Sequence, residues 1–334
     1  MRSTVTLVGG ALIALVLGAG TASAQPETRN LKIGTARDPQ LATEIAVAKY
    51  KGFFEQEGLN VEISYFVSGA EMMSAVAAKQ LALGSFGESP AINLRAGGHP
   101  VKIVARMADI SGTQQIVAQK GIAKPQDLRG KKVGLQVGST SEALLGEFLK
   151  AYGMKLADVE LVNMSPPDQV AAFARGDVQA ICVWQPFVLR AKQRGGQALA
   201  AANRSFIPGE EGPKKYYGAH AVLVGREEFL KDNPKTVEAA LRAMVKAAEF
   251  ARANPDETAK LLGQDIQMPV EDIKAMVLEN RYDMSLTPEL AADISRSIEF
   301  LAGLGKLKTK PRVEELVDPS FLSRVAPGLV TWRP

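Results

Sequence analysis

Three short segments carry the residue types best suited to chemistry, and the chemistry they suit is capture of an anion. Ser68-Gly69-Ala70-Glu71, Glu88-Ser89-Pro90 and Ser139-Thr140-Ser141-Glu142 each follow a β-like run and open a helical pattern. The first N–H groups of a helix have no intrahelical acceptor, and the helix dipole adds partial positive charge at that end. Small or hydroxyl residues there let an acid group approach the backbone. Ser68, Gly69, Ala70, Glu88, Ser89, Ser139, Thr140 and Ser141 are therefore candidate ligand residues. Ser68-x-x-Glu71 and Ser139-x-x-Glu142 also match the capping box, a structural device that needs no ligand, and the residues alone leave both readings open. No segment is a phosphate fingerprint: the chain has neither GxxxxGKS/T nor a GxGxxG after a strand.

Arg37 and Arg106 are the cationic candidates near strand ends, and a guanidinium reads carboxylate or sulfonate oxygens in a planar, bidentate fashion. A solvated arginine is the competing reading for each. Trp184, one of two tryptophans, ends a strand before Gln185-Pro186; its indole suits either a cleft wall with a donor N–H or a core position. Tyr217, in Tyr216-Tyr217-Gly218, stands where the chain re-enters its first alternation, at a hinge or cleft rim. His220 lies in an apolar strand and reads as a hydrogen-bonded core histidine, and His99 as part of a surface turn. Cys182 in Ala-Ile-Cys-Val-Trp reads as a small core residue. No G-x-S-x-G, H-E-x-x-H or C-x-x-C is present, and no carboxylate pair stands out for glycosidase chemistry.

The elements that must position these loops alternate. Strands are expected at Leu31–Thr35, Val61–Phe66, Ala82–Phe86, Val101–Met107, Gln114–Gln119, Lys132–Val137, Glu160–Asn163, Ala180–Trp184 and Ala219–Val224. Helices are expected between them, the first running from Leu41 to Glu57 with Ala46, Tyr50, Phe53 and Phe54 at helical spacing. Ile207–Lys215 reads as an exposed loop. The chain then turns helical, with Thr236–Ala253 and Pro288–Leu304 each presenting one apolar face. Such alternation is the mark of α/β architecture, and ligands of open α/β sheets sit outside the carboxyl ends of the strands.

The 334 residues suggest about two domains. With 40 Lys+Arg against 36 Asp+Glu, the net charge of +4 is a weak field without a basic cluster, so no nucleic-acid partner is expected. One cysteine and two histidines exclude an internal disulfide and leave too few ligands for a Cys/His metal cage. Residues 1–24 combine Arg2, the apolar run Val5–Gly20 and Ala22-Ser23-Ala24, a leader expected to be cleaved after Ala24 for export. A lone Cys182 suits a bacterial periplasm.

Several stretches together resemble the periplasmic substrate-binding proteins of ABC importers, in the nitrate/sulfonate/taurine group (SsuA- and TauA-like, NMT1/THI5-like). They are Ala48-Lys49-Tyr50-Lys51-Gly52-Phe53-Phe54-Glu55-Gln56-Glu57-Gly58-Leu59-Asn60-Val61-Glu62, Ser68-Gly69-Ala70-Glu71-Met72-Met73 and Asp127-Leu128-Arg129-Gly130-Lys131-Lys132-Val133-Gly134. Ala172-Phe173-Ala174-Arg175-Gly176-Asp177-Val178-Gln179-Ala180 and Val183-Trp184-Gln185-Pro186 complete the set. The resemblance covers most of residues 31–300. It implies a two-lobed type II binding fold, each lobe a mixed sheet flanked by helices, with two crossover hinge strands. One lobe would be residues 31–113 plus 217–334 and the other 114–216.

The resemblance further implies a monomer that closes on a small anionic ligand and delivers it to the permease's transmembrane subunits, with no cofactor and no metal. Its ligand loops fall on Thr35–Asp38, which brings in Asp38, on Ser68–Ala70, Glu88–Pro90 and Gly138–Ser141, and around Trp184. Glu88 is unusual beside a bare anion and is expected either to meet a ligand amine or hydroxyl or to point out of the cleft. Two alternatives stay open. One is an enzyme of this fold acting on a pyrimidine or aromatic carboxylate, although the histidines and cysteine-rich segment of the yeast-type pyrimidine synthases are absent. The other is a sensor that presents its closed form to a membrane receptor.

Overall fold

The computed structural model describes residues 25–334, so the expected leader, residues 1–24, lies outside the described residues. The alternation begins with β1 (Asn30–Ala36), α1 (Pro39–Tyr50), α2 (Phe53–Gln56), β2 (Asn60–Phe66) and α3 (Gly69–Ala77). It continues with β3 (Leu83–Gly87), α4 (Glu88–Ala96), β4 (Val101–Asp109), β5 (Gln114–Ala118), β6 (Lys132–Leu135), α5 (Thr140–Ala151) and β7 (Glu160–Asn163). Next come α6 (Pro166–Arg175), β8 (Ala180–Trp184), α7 (Phe187–Gln193), β9 (Gln197–Ala201), β10 (Arg204–Ser205), β11 (Gly212–Pro213) and β12 (His220–Arg226). The C-terminal part is α8 (Glu227–Asp232), α9 (Pro234–Ala253), α10 (Pro255–Ile266), α11 (Val270–Leu278), β13 (Arg281–Tyr282) and α12 (Pro288–Gly303), followed by short helices.

The strands form two mixed sheets: six strands in the order β13-β4-β12-β3-β1-β2, and seven in the order β11-β10-β9-β5-β8-β6-β7. Parallel pairing joins β1 to β2 and β3, and β6 to β7 and β8. This is the pairing expected of strands connected through helices. The returning strand β12 inserts antiparallel between β3 and β4, so both ends of the chain build the first sheet. The chain passes between sheets at residues 110–113 and again at 214–219. These crossings are short irregular segments rather than the expected hinge strands, and they are bonded to each other: Ile110 N–H donates to the Ala219 carbonyl (2.9 Å) and Ala219 N–H to Ser111 Oγ (3.0 Å).

The expected helix Leu41–Glu57 is in fact two. Gly52, at φ +69°, takes the left-handed conformation that costs a glycine little, which ends α1 and starts α2. The two-residue strands β10, β11 and β13 give no periodic signal, and only their partners define them. Inside the expected exposed loop Ile207–Lys215, Ile207 is buried and Gly212–Pro213 pairs with Arg204–Ser205.

Helix α1 lies between the first sheet and α9, and ten consecutive residues, Pro39 to Ala48, are buried. Ile45, Val47, Ile33 and Leu83 belong to this core, each contributing about 1.5–3 kcal/mol by burial. Glu44 shares that burial, and neither carboxylate oxygen has a partner among the described residues. Burial pushes its pKa up to about 8. The sign follows directly: folded Glu44 holds its proton above the ordinary carboxylate range, so the associated stability is present below pH 4.5 and is lost as pH rises through about 8. Glu44→Gln should therefore raise stability by about 1–3 kcal/mol at pH 8, and the gain should shrink toward zero near pH 4.5. Urea titrations at several pH values read this. A gain that does not vary with pH would contradict it.

Candidate functional site

The carboxyl ends of β1, β2, β3, β6 and β8 converge between the two sheets, and a small cavity of about 30 Å³ lies there. That is far below the roughly 300–1,000 Å³ of a drug-sized ligand pocket, so the walls must part to admit more than a very small group. Asp38, Gln40 and Leu41 line it from the start of α1, Gly69 and Ala70 from α3, and Gly87 and Pro90 from the β3–α4 junction. Ile110 and Gln114 come from the crossing, Ser139 and Thr140 from α5, and Trp184 from the end of β8.

Two helix N-termini face this cavity with free donors. At α3 the cap is made: Ser68 Oγ accepts from Glu71 N–H (3.3 Å), and the Glu71 carboxylate turns back to accept from Val67 N–H (3.3 Å). Gly69 and Ala70, at the first two helical positions, keep amide hydrogens without an acceptor among the described residues. At α5 the expected box does not form. Ser139 Oγ turns away to donate to the Gln136 carbonyl (2.7 Å), leaving the helix without a side-chain cap. Glu142 accepts from Gly138 N–H (3.1 Å) and pairs with Lys306. Among the described residues Thr140 and Ser141 N–H are thus left without an acceptor, although both residues are buried. A buried helix end without partners is a place for an anion. Ser141 Oγ donates to Gln114 Oε1 (3.3 Å), so Ser141 supports the wall rather than lining it.

The opposite wall is different in character. Asp38 caps α1 by accepting from Leu41 N–H (2.9 Å) and is 3% exposed. Burial raises its pKa to about 7, partly offset by bonds from the Leu41 and Gln40 amides. Gln40 Nε2 donates across the cleft to the Gln185 carbonyl (2.9 Å), and Gln40 Oε1 has no partner among the described residues. Trp184 forms an apolar side of the cavity and stacks edge-to-face on Phe187, with centroids 6.4 Å apart.

The remaining sequence candidates lie elsewhere. Arg37 is exposed, donates to the Asp265 carbonyl (2.9 Å) and lies over the Tyr65 ring (4.6 Å). It lines an outer depression with Arg190, Phe187 and Met268, which meets the cavity only at Asp38. Arg106 is 2% exposed and forms a fork with Asp283, Nε to Oδ1 at 2.9 Å, while its Nη2 also donates to Ser285 Oγ (2.7 Å). Its charge is already matched, which corrects the expectation of an anion receptor there.

Glu88, Ser89 and Tyr217 do not line the cavity either. Tyr217 Oη donates to Glu88 Oε1 and meets Ser297 Oγ (2.5 Å), and His220 N–H donates to Glu88 Oε2 (2.9 Å). Ser89 Oγ lies 3.5 Å from both Glu88 Oε1 and Tyr217 Oη. His220 Nε2 meets Asp293 Oδ2 (2.9 Å), and burial lowers its pKa to about 4, so the ring is neutral. This network fixes the start of α4 to the second crossing and to α12. Cys182 donates its S–H to the Ser141 carbonyl (3.1 Å), and burial pushes the thiol up. Among the described residues, no His/Cys/Asp/Glu group is arranged to hold a metal, and no helix is long and apolar enough to cross a membrane.

Sequence reading missed Gln40, Leu41, Gly87, Ile110 and Gln114. Gln40 and Gly87 sit one or two residues outside loops already marked, and Gln114 opens the strand after the first crossing. The two halves also meet around the cavity: Asn93 Nδ2 donates to the Gly138 carbonyl (3.2 Å), and Gln185 Nε2 to Glu279 Oε2 (3.2 Å). The arrangement is a shut one.

Comparison with known proteins gives a consistent picture. A family described as NMT1/THI5 like matches residues 40–258. The taurine-binding periplasmic protein of Escherichia coli K12 is 29% identical over 269 residues, covering 76% of this chain and 81% of its own. The alkanesulfonate-binding protein SsuA of Xanthomonas axonopodis pv. citri, solved with MOPS, superposes with a TM-score of 0.75 at 19% identity, covering 87% of this chain and 99% of its own. The desulfurization enzyme DSZB shares the fold too, with a TM-score of 0.64 at 16% identity over 90% of this chain and 99% of its own.

Proposed function

The chain belongs to the NMT1/THI5-like family, and from that premise we propose that it is the periplasmic solute-binding component of an ABC importer, capturing a small organic anion between its two halves. The observation that carries this reading is the pair of helix starts at the cavity, Gly69-Ala70 and Thr140, whose amide hydrogens have no acceptor among the described residues. An acid group placed between them accepts from both halves at once, so the ligand stabilises the shut form more than the open one and shifts the population toward it. The taurine- and aliphatic sulfonate-binding relatives support sulfonates as the first ligands to try, and a structural neighbour that binds nitrate sets nitrate beside them.

In this reading residues 31–113 with 217–334 move against residues 114–216, bending at 110–113 and 214–219. The shut monomer then hands its ligand to the permease's transmembrane subunits, after export directed by residues 1–24. Capture rather than turnover is supported by the lining: Cys182 is buried behind Ser141, and His220 is neutral and outside the cavity.

Thr140 offers a test that separates an amide from a hydroxyl. It is the first residue of α5 and follows the extended Ser139 (φ −90°, ψ 167°), a place where proline fits without breaking the helix. Thr140→Pro deletes one amide hydrogen, and Thr140→Ala deletes only the hydroxyl. A hydrogen bond to a charged group contributes about 1.5–3 kcal/mol, so Thr140→Pro should bind the acid roughly 10–100-fold more weakly than Thr140→Ala. Equal affinities of the two variants in calorimetry would remove α5 from the site.

A further inference from the structure

Helix α5, whose start offers the Thr140 amide to the cavity, is gripped by the opposite half at every fourth residue. Asn93 Nδ2 of α4 donates to the Gly138 carbonyl (3.2 Å), and Lys306 pairs with the Glu142 carboxylate. The Phe300 ring of α12 occupies the space that a β-carbon on Gly146 would need. Residues four apart lie on one face of a helix, so Glu142 and Gly146, with Gly138 just ahead of them, form one seam between the halves. None of these six residues lines the cavity.

Only the middle contact of the seam carries charge. Glu142 is 1% exposed, and its carboxylate also accepts from Gly138 N–H (3.1 Å). Lys306 follows the end of α12, where its N–H donates to the Leu301 carbonyl (3.3 Å) and so anchors it on the first half. Glu142 stands in the first turn of α5, so the positive end of the helix that would hold a ligand's acid already holds a carboxylate. Two negative charges at one buried helix start oppose each other, and a cation beside one of them relieves the conflict. Lys306 is that cation, and it arrives from the other half.

We propose that Lys306 is a positioning residue for capture: by neutralising Glu142 across the seam, it lets the start of α5 accept the ligand's acid group only as the halves shut. It acts through Glu142 and does not touch the ligand. In the open form Glu142 is uncompensated and disfavours an acid at α5, so binding and closure strengthen each other. This inference rests on the anion-capture reading above and adds to it the residue that couples the acid to closure.

Calorimetry with ethanesulfonate as the probe tests the coupling through a double-mutant cycle. Lys306→Met should bind at least tenfold more weakly than wild type, and Lys306→Arg, which keeps the charge, should stay within threefold. Adding Glu142→Gln to Lys306→Met should restore affinity at least threefold, because the opposing charge is gone while glutamine Oε1 still accepts from Gly138 N–H. If Lys306→Met alone does not fold, the other side of the cycle decides: in the Glu142→Gln background, removing Lys306 should cost less than threefold. A purely structural pair would show no such recovery. Wild-type affinity in Lys306→Met, a double variant no better than Lys306→Met, or a tenfold loss on removing Lys306 from Glu142→Gln overturns this inference and leaves anion capture standing. Binding of neither ethanesulfonate, taurine nor nitrate by the wild type overturns the anion-capture reading, and this inference with it.

Discussion

Gly87→Val is expected to abolish tight binding while the protein stays folded. Gly87 ends β3 in an ordinary extended conformation (φ −67°, ψ 153°), so valine meets no backbone penalty. The obstacle lies across the cleft: a β-carbon there would sit 2.4 Å from Thr140 Oγ1, far inside contact distance. The first sheet supplies Gly87 and the second half supplies Thr140, so the collision is relieved by opening rather than by unfolding. An open form cannot place both helix starts on one acid group. Affinity should fall at least 100-fold, about 2.8 kcal/mol, with a thermal midpoint near that of the ligand-free wild type. Small-angle scattering should show that ligand no longer compacts the variant. Wild-type affinity in Gly87→Val would mean that the cavity between the halves is not where ligand binds.

Asp283→Ala should have the largest effect on stability, a loss of about 3–5 kcal/mol, because it leaves a buried guanidinium without its counter-ion. Arg106 cannot lose its charge to escape, and Ser285 Oγ is the one acceptor left to it among the described residues. The double change Arg106→Met with Asp283→Leu should recover much of that loss, since an apolar pair of similar volume avoids desolvating two ions. Ligand affinity, measured where the variants remain folded, should stay within threefold of wild type. A clear gain in anion affinity on freeing Arg106 from Asp283 would instead make Arg106 part of the ligand site.

These two residues also mark where sequence reading stops. The strand-end loops were legible because helix starts announce themselves locally: Ser68 before an apolar helical pattern, Ser139-Thr140-Ser141 after Lys132–Leu135. The alternation of strands and helices, and the family resemblance it carried, were legible for the same reason. Arg106 was not, because its partner Asp283 lies beyond residue 280, just after a strand of two residues that leaves no periodic trace. Glu88 sits in a marked loop, yet its carboxyl points toward Tyr217 and His220, which arrive more than 100 residues later. Gly87 and Gln40 matter through atoms on the other half of the molecule, Thr140 Oγ1 and the Gln185 carbonyl, and no local pattern encodes such a contact. At Ser139 the sequence leaves a cap and a ligand site both open, and the side chain resolves the choice by donating to Gln136 and leaving the helix end bare.

The most direct measurement is a crystal structure of the protein with a bound sulfonate, with the sulfur located by its anomalous signal. The sulfonate oxygens should lie within hydrogen-bond distance of the amides of Gly69, Ala70 and Thr140, beside Trp184. A sulfonate found in the outer depression between Arg37 and Arg190, or anywhere that leaves those three amides without an acceptor, would contradict the account.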